Sequence, residues 1–200
     1  MSRVVSDIAV SIDGYASGIG QSLESPFGDF DNTPMHDWMF NEPHAAENAA
    51  EVAAIVDAGA FIMGRNMFGP DRGDWDVNWT GWWGPEPPYH GPVFVLAHRQ
   101  RDDLVMEGGT TFSFVTDGIH GALDRARAAA GERNVAIAGG ATTLNQYLAA
   151  GLVDELRLHV MPMVAGRGQR VFEGVGAQRW RQVSARATSI VTHLVYEPIR

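Results

Sequence analysis

Residues 4–12 carry Val, Ile and Ala with a few polar interruptions and stop at Asp13-Gly14, the pattern of a largely buried strand entering a turn. Over residues 17–41 the periodicity disappears and Gly18, Gly20, Pro26, Gly28 and Pro34 accumulate, which predicts a long irregular segment beside a site, with a short helix over 34–40. Residues 44–58 read as one helix: the stretch is rich in strong helix formers, holds Glu47 and Glu51, and is followed by Gly59. A short apolar run, 60–63, leads to Gly64-Arg65, and strand ends of this kind are where ligands gather in open α/β sheets. Residues 67–92 predict a long loop lined by Trp75, Trp79, Trp82 and Trp83.

Beyond that loop the alternation becomes regular. Residues 93–97 and 111–115 read as strands, 119–130 as a helix closed by Gly131, 134–138 as a strand, and 141–150 as a helix capped by Gly151. The last third changes character: 153–160, 179–186 and 189–197 read as strands, the final two close enough in sequence to form an antiparallel hairpin. The expected fold is a single α/β domain of three layers, with a mixed, mostly parallel sheet between helices and an antiparallel C-terminal edge.

The junction at Gly139-Gly140 carries the clearest chemistry. Paired glycines let a ligand approach the backbone, and the helix that follows offers free N–H groups and a favourable dipole to an anion such as a pyrophosphate. A plain strand-to-helix turn would look the same in isolation. Two more strand ends add to it: Gly64-Arg65, where a guanidinium can fork onto phosphate, and His98-Arg99 after the strand over 93–97.

Composition then narrows the options. With 200 residues and 45% hydrophobic content the chain can bury one substantial core. It has no cysteine, which removes disulfides, thiolate metal sites and cysteine nucleophiles. A net charge of −9 argues against a nucleic-acid partner. No run is long enough to span a bilayer, and charges at Arg3, Asp7 and Asp13 break any signal-peptide pattern, so a cytoplasmic location is expected. His36, Asp37 and His44 are the nearest thing to a metal cluster, but their spacing fits no usual zinc pattern, and no metal is expected. There is no GxSxG for serine hydrolysis, and the HxE and PCxxC ligands of a zinc deaminase are missing.

In order, SIDGY (11–15), GR (64–65), VLAHR (95–99), AGGATTLNQYL (138–148) and GLVDELRLHVMPMVAGRGQRVF (151–172) resemble the dihydrofolate-reductase-like family, in the branch of the riboflavin-biosynthesis reductase domain. The resemblance implies an NADPH-dependent reductase of a small heterocyclic or carbonyl acceptor, often homodimeric through its C-terminal strands. It places Ala9 and Val10 under the nicotinamide and turns Ser11 and Asp13 toward substrate. The cofactor phosphates would fall to Gly64, Arg65, Asn66 and Met67, the adenosine phosphate to Ala97, His98 and Arg99, and the pyrophosphate to Gly139, Gly140, Ala141 and Thr142. Ala97 stands where the family commonly has a hydroxyl residue, so preference for NADPH over NADH rests on Arg65, His98 and Arg99. Asp37-Trp38, on the expected short helix, matches the place of the carboxylate that anchors substrate in dihydrofolate reductases. Asp37 is therefore the candidate acid and Asp13 its rival. The alternative on the same fold is a protein that binds a nicotinamide or flavin-type ligand without turnover.

Overall fold

The computed structural model of the chain describes residues 2–30, 33–69 and 73–200. The first buried run forms β1 (Val4–Ser11), the turn at Asp13-Gly14 returns into β2 (Tyr15–Ser17), and the irregular segment ends in helix α1 (Thr33–Phe40). The helix expected over 44–58 is two pieces, α2 (His44–Glu47) and α3 (Ala49–Val56). The break falls at Asn48, which is fully buried and turns its side chain to His193 and to the His44 carbonyl. Helical bonds still bridge the junction, from the Asn48 N–H to the His44 carbonyl and from the Val52 N–H to the Asn48 carbonyl, so the helix is distorted at Asn48 and not unravelled.

The chain continues through β3 (Ala60–Gly64), a single turn α4 (Arg65–Phe68), the tryptophan loop, β4 (Pro92–Leu96), a two-residue β5 (Leu104–Val105) and β6 (Thr111–Val115). Helix α5 (Gly118–Ala130), β7 (Val135–Gly139), α6 (Ala141–Ala149) and β8 (Glu155–Met161) follow, then the short β9 (Gln169–Arg170) and the hairpin of β10 (Trp180–Ala187) and β11 (Thr192–Pro198).

Nine of these strands make one sheet in the order β10-β11-β8-β1-β7-β3-β4-β6-β5, while β2 and β9 pair separately. The six strands from β8 to β6 run parallel, and β11 joins β8 antiparallel. Successive residues of a strand face opposite sides, and the two sides bury different partners. Val4, Ile8, Val10, Ala60 and Ile62 pack under α5 and α6 with Leu123, Ala126, Leu144 and Tyr147. Phe61, Met63, Val93, Val95 and Phe112 pack under Phe68 and the tryptophan loop, and Met35 and Trp38 of α1 cover Met161 and Val191 farther along that side. Among the described residues no helix is long and apolar enough to cross a membrane.

Candidate functional site

Parallel strands put their C-terminal ends on one rim, and the sheet order sets β7, β3 and β4 side by side there. Met63 pairs with Gly139 and Gly64 with Leu96, so Gly64-Arg65, Gly139-Gly140 and the Ala97–Arg99 segment become neighbours although up to 75 residues separate them in the chain. Helix α6 starts at this rim. Its first N–H groups have no acceptor within the helix. A Cβ added at Gly140 would meet nothing within 4 Å, so the backbone there faces open space. At Gly64 the opposite holds, because a Cβ would collide with Thr143 Oγ1; this glycine lets β3 and α6 come together.

Beside the glycines the sheet opens. The ladder between β1 and β7 runs from Val4/Val135 to Ser6/Ile137 and stops, and the Ser6 hydroxyl donates to the Ile137 carbonyl at 3.0 Å. On its other side β1 stays paired with β8 through Ser11/Met161. The second half of β1, including Ala9 and Val10, thus borders a slot whose far wall is Gly139. Crevices of this sort, between strands that part at the carboxyl edge of an α/β sheet, are where flat ligands enter such folds.

Ser11 ends β1 at one end of the slot, and Asp13 follows it in the turn. The Ser11 hydroxyl donates to Asp13 Oδ1 at 2.6 Å, and the backbone N–H groups of Ala165 and Gly166 donate to the two carboxylate oxygens at 3.0 and 2.7 Å. The Ser11 hydrogen bond and these amides hold the Asp13 carboxyl down at about 2, which favours its ionised form at neutral pH. Its work is to fasten the loop after β8 across the rim, assisted by the β2–β9 pairing and by Asn145, which bonds the Arg170 carbonyl and the Phe172 amide.

Arg65 opens α4 at the rim. Its guanidinium donates to the Gly69 carbonyl at 2.8 Å and lies 3.7 Å over the Trp75 ring. Asn66 donates to Gln21 at 3.2 Å, and Met67 Sδ lies 3.6 Å from where a Gly139 Cβ would stand. His98 and Arg99 are exposed; Arg99 forms an ion pair with Asp74, and its carbonyl accepts from the Trp75 indole. Trp75 therefore touches both candidate phosphate-binding arginines. Thr142, on the first turn of α6, donates to Gln169 at 3.1 Å.

The acid expected on α1 fares differently. Asp37 is half-buried and accepts from Asn41, just past the end of its helix, at 2.6 Å. Trp38 is 1% exposed, its indole N–H donates to the Met35 carbonyl, and its ring sits against His159 and His193. An apolar ring at this helical position is drawn into the core by the sheet beneath it. A cleft of about 360 Å³ lined by Leu148, Val153, Trp180 and Arg200 lies at the opposite edge of the sheet, where β8 begins, far from these groups.

A family model described as the RibD C-terminal domain matches residues 2–194. Among solved structures, a riboflavin biosynthesis protein from Shewanella sp. PV-4 superposes with a TM-score of 0.65 at 21% identity, covering 99% of each chain. RibD of Acinetobacter baumannii gives 0.62 at 16% identity, with all of this chain matching 58% of that one. Dihydrofolate reductase from Enterococcus faecalis, complexed with NADP(H) and RAB-propyl, gives 0.59 at 14% identity over 99% and 97% of the two chains. No curated protein matches the sequence.

Proposed function

The chain belongs to the RibD C-terminal domain family, and from that premise we propose that it is an NADPH-dependent reductase whose cofactor lies along the β1–β7–β3 rim. The observation that carries the reading is the slot between β1 and β7, bordered by Gly139-Gly140 with the α6 N-terminus above it and Gly64-Arg65 beside it. The residues fit the group. Gly140 leaves room for a phosphate against the backbone, the Ala141 and Thr142 amides can donate to it, and Arg65 brings a planar cation from the neighbouring strand. Ala9 and Val10 offer backbone edges to a flat ring in the slot. NADPH supplies a hydride when bound, and the protein's part is to position the acceptor and exclude water. Asp13 and Ser11 contribute by holding the loop over the rim. The acceptor class that suits the family is a small heterocycle or carbonyl compound.

Two observations favour the non-catalytic alternative: both carboxylate oxygens of Asp13 accept from backbone amides, and Asp37 accepts from Asn41. Turnover of cofactor across pterin, pyrimidine and quinone acceptors separates the two readings.

Calorimetric titration with NADPH and NADH, on wild type and on Arg65→Ala, tests the cofactor reading. Loss of one charge-assisted contact weakens NADPH binding about tenfold or more. Binding of neither nucleotide to the wild type overturns the proposal, and equal affinity of the two proteins removes Arg65 from it.

A further inference from the structure

The sheet face under α1 carries a polar chain that the reductase reading does not use. Asp7 on β1, His159 on β8 and His193 on β11 come together there because Ala9 pairs with His159 and His159 with His193, and all three side chains are at least nine-tenths buried. Asp7 Oδ1 lies 3.3 Å from His159 Nε2. His159 Nδ1 lies 2.7 Å from His193 Nδ1, and His193 Nε2 lies 2.8 Å from Asn48 Oδ1.

The hydrogens can be assigned from the far end inward. The Asn48 amide nitrogen donates to the His44 carbonyl at 2.7 Å, and Arg186 donates toward Asn48 Oδ1 at 3.4 Å, so two separate partners fix the amide with its oxygen toward His193. His193 Nε2 must then carry a hydrogen. Only one hydrogen fits between the two Nδ1 atoms. If the cluster held just the two hydrogens of two neutral imidazoles, His159 Nε2 would face Asp7 Oδ1 lone pair to lone pair across 3.3 Å, and neither atom has a hydrogen-bond partner of its own. Two buried acceptors pressed together cost too much to persist.

We propose that Asp7, His159 and His193 hold one additional proton in common, with His159 ion-paired to Asp7 and hydrogen bonds running on through His193 to Asn48, and that this proton seats α1 on the sheet. Three hydrogens then occupy the three gaps, and the cluster is neutral overall. Moving one hydrogen between the Nδ1 atoms passes the positive charge from one ring to the other. The neighbours suit this arrangement. Trp38 of α1 presents its ring 4.5 Å from His159 and 5.1 Å from His193, within reach for a cation over an aromatic face. Arg157 of β8 approaches Asp7 Oδ2 at 3.5 Å and bonds Glu155, while Arg186 of β10 is paired with Glu51 of α3. His44 of α2 bonds Ser189 at the exposed margin.

A second proton has no place. Two cationic rings would stand with Nδ1 atoms 2.7 Å apart and no acceptor between them. Burial first, and then the neighbouring His159 charge, hold His193 down at about 4. Because that value is depressed, the stability it represents is present above the ordinary histidine value of 6.5 and drains away as pH falls toward 4. Acid therefore releases α1 through this cluster, whatever ligand the rim accepts.

Nitrogen-15 correlation spectra of the histidine rings of the wild type at pH 7 are the test. The expected pattern is hydrogen on both nitrogens of one ring of the pair and on Nε2 of both. An unprotonated His159 Nε2, or His193 with its hydrogen on Nδ1 alone, overturns the proposal. In Asp7→Asn the amide can donate to His159 Nε2 without the additional proton, so that nitrogen becomes unprotonated while His193 keeps its pattern; persistence of the Nε2 hydrogen also overturns it. On acidification of the wild type, the near-UV circular dichroism of Trp38's surroundings changes together with the His193 ring signals. A change complete before His193 titrates counts against the seating of α1 by this proton.

Discussion

Gly64→Ala probes how closely β3 and α6 must approach to form the rim. Gly64 has φ −79° and ψ 159°, an extended conformation that alanine adopts without strain, so the whole cost is contact. The new methyl group collides with Thr143 Oγ1 and reaches Thr143 Cβ at 3.6 Å, and Thr143 is 6% exposed on the first turn of α6, with little room to turn away. Overpacking of this kind costs about 1 to 3 kcal/mol. For a chain of this size each kcal/mol lowers Tm by about 2 to 4 °C, so a fall of roughly 2 to 12 °C is expected. Urea titration of wild type, Gly64→Ala, Thr143→Ala and the double variant completes a cycle. Removing the hydroxyl and methyl of Thr143 clears the obstruction, and the double variant regains most of what Gly64→Ala loses. The rim glycines move with the strand, so NADPH affinity follows the same order. A Gly64→Ala variant within about 0.5 kcal/mol of wild type, or a double variant that regains nothing, refutes the close approach as the reason for glycine.

Two other substitutions test the supports of the site. Asp13→Asn replaces an acceptor of two backbone amides with a group that is half donor, so hydrogen exchange at Ala165 and Gly166 accelerates. In the wild type, protection from this depressed carboxylate is present above the ordinary value of 3.8 and is lost as pH falls through about 2; protection at pH 3 equal to that of the variant speaks against the tie. Tyr147→Phe removes a hydroxyl that donates to the Ile119 carbonyl at 2.9 Å and joins α6 to the start of α5. The expected loss is about 1 kcal/mol in urea unfolding, and an unchanged midpoint leaves that bond without weight.

Much of the sheet is readable in the sequence because β1, β3, β4, β6 and β7 are buried on both faces and spell short apolar runs ended by glycine or polar residues. Gly139-Gly140 is readable as the bare end of a strand, and a Cβ at Gly140 would meet nothing within 4 Å. What the sequence hides is whatever depends on partners far along the chain. The break at Asn48 and the burial of Trp38 both follow from His193, 145 and 155 residues away. The His159–His193 pair could have drawn notice as polar residues at inward positions of apolar strands, but their meeting is a matter of β8–β11 register, which periodicity does not fix. The hydrogen bonds that Asp13 accepts are hidden too, because its partners at 165 and 166 belong to a loop that local patterns leave undefined.

The stacking of Arg65 on Trp75 bears on how fast and how tightly an anion would be caught. A free arginine side chain carries about 2 kcal/mol of rotamer entropy, much of which is lost on gripping a ligand. Here the Gly69 carbonyl and the indole face have already narrowed the guanidinium to a small set of orientations. The ordering cost is met when the chain folds, so less of it is charged to each binding event. The Trp75 ring, on this view, is a mould that sets a cation in advance, and that ordering is a component of affinity even where the ring never touches what is bound.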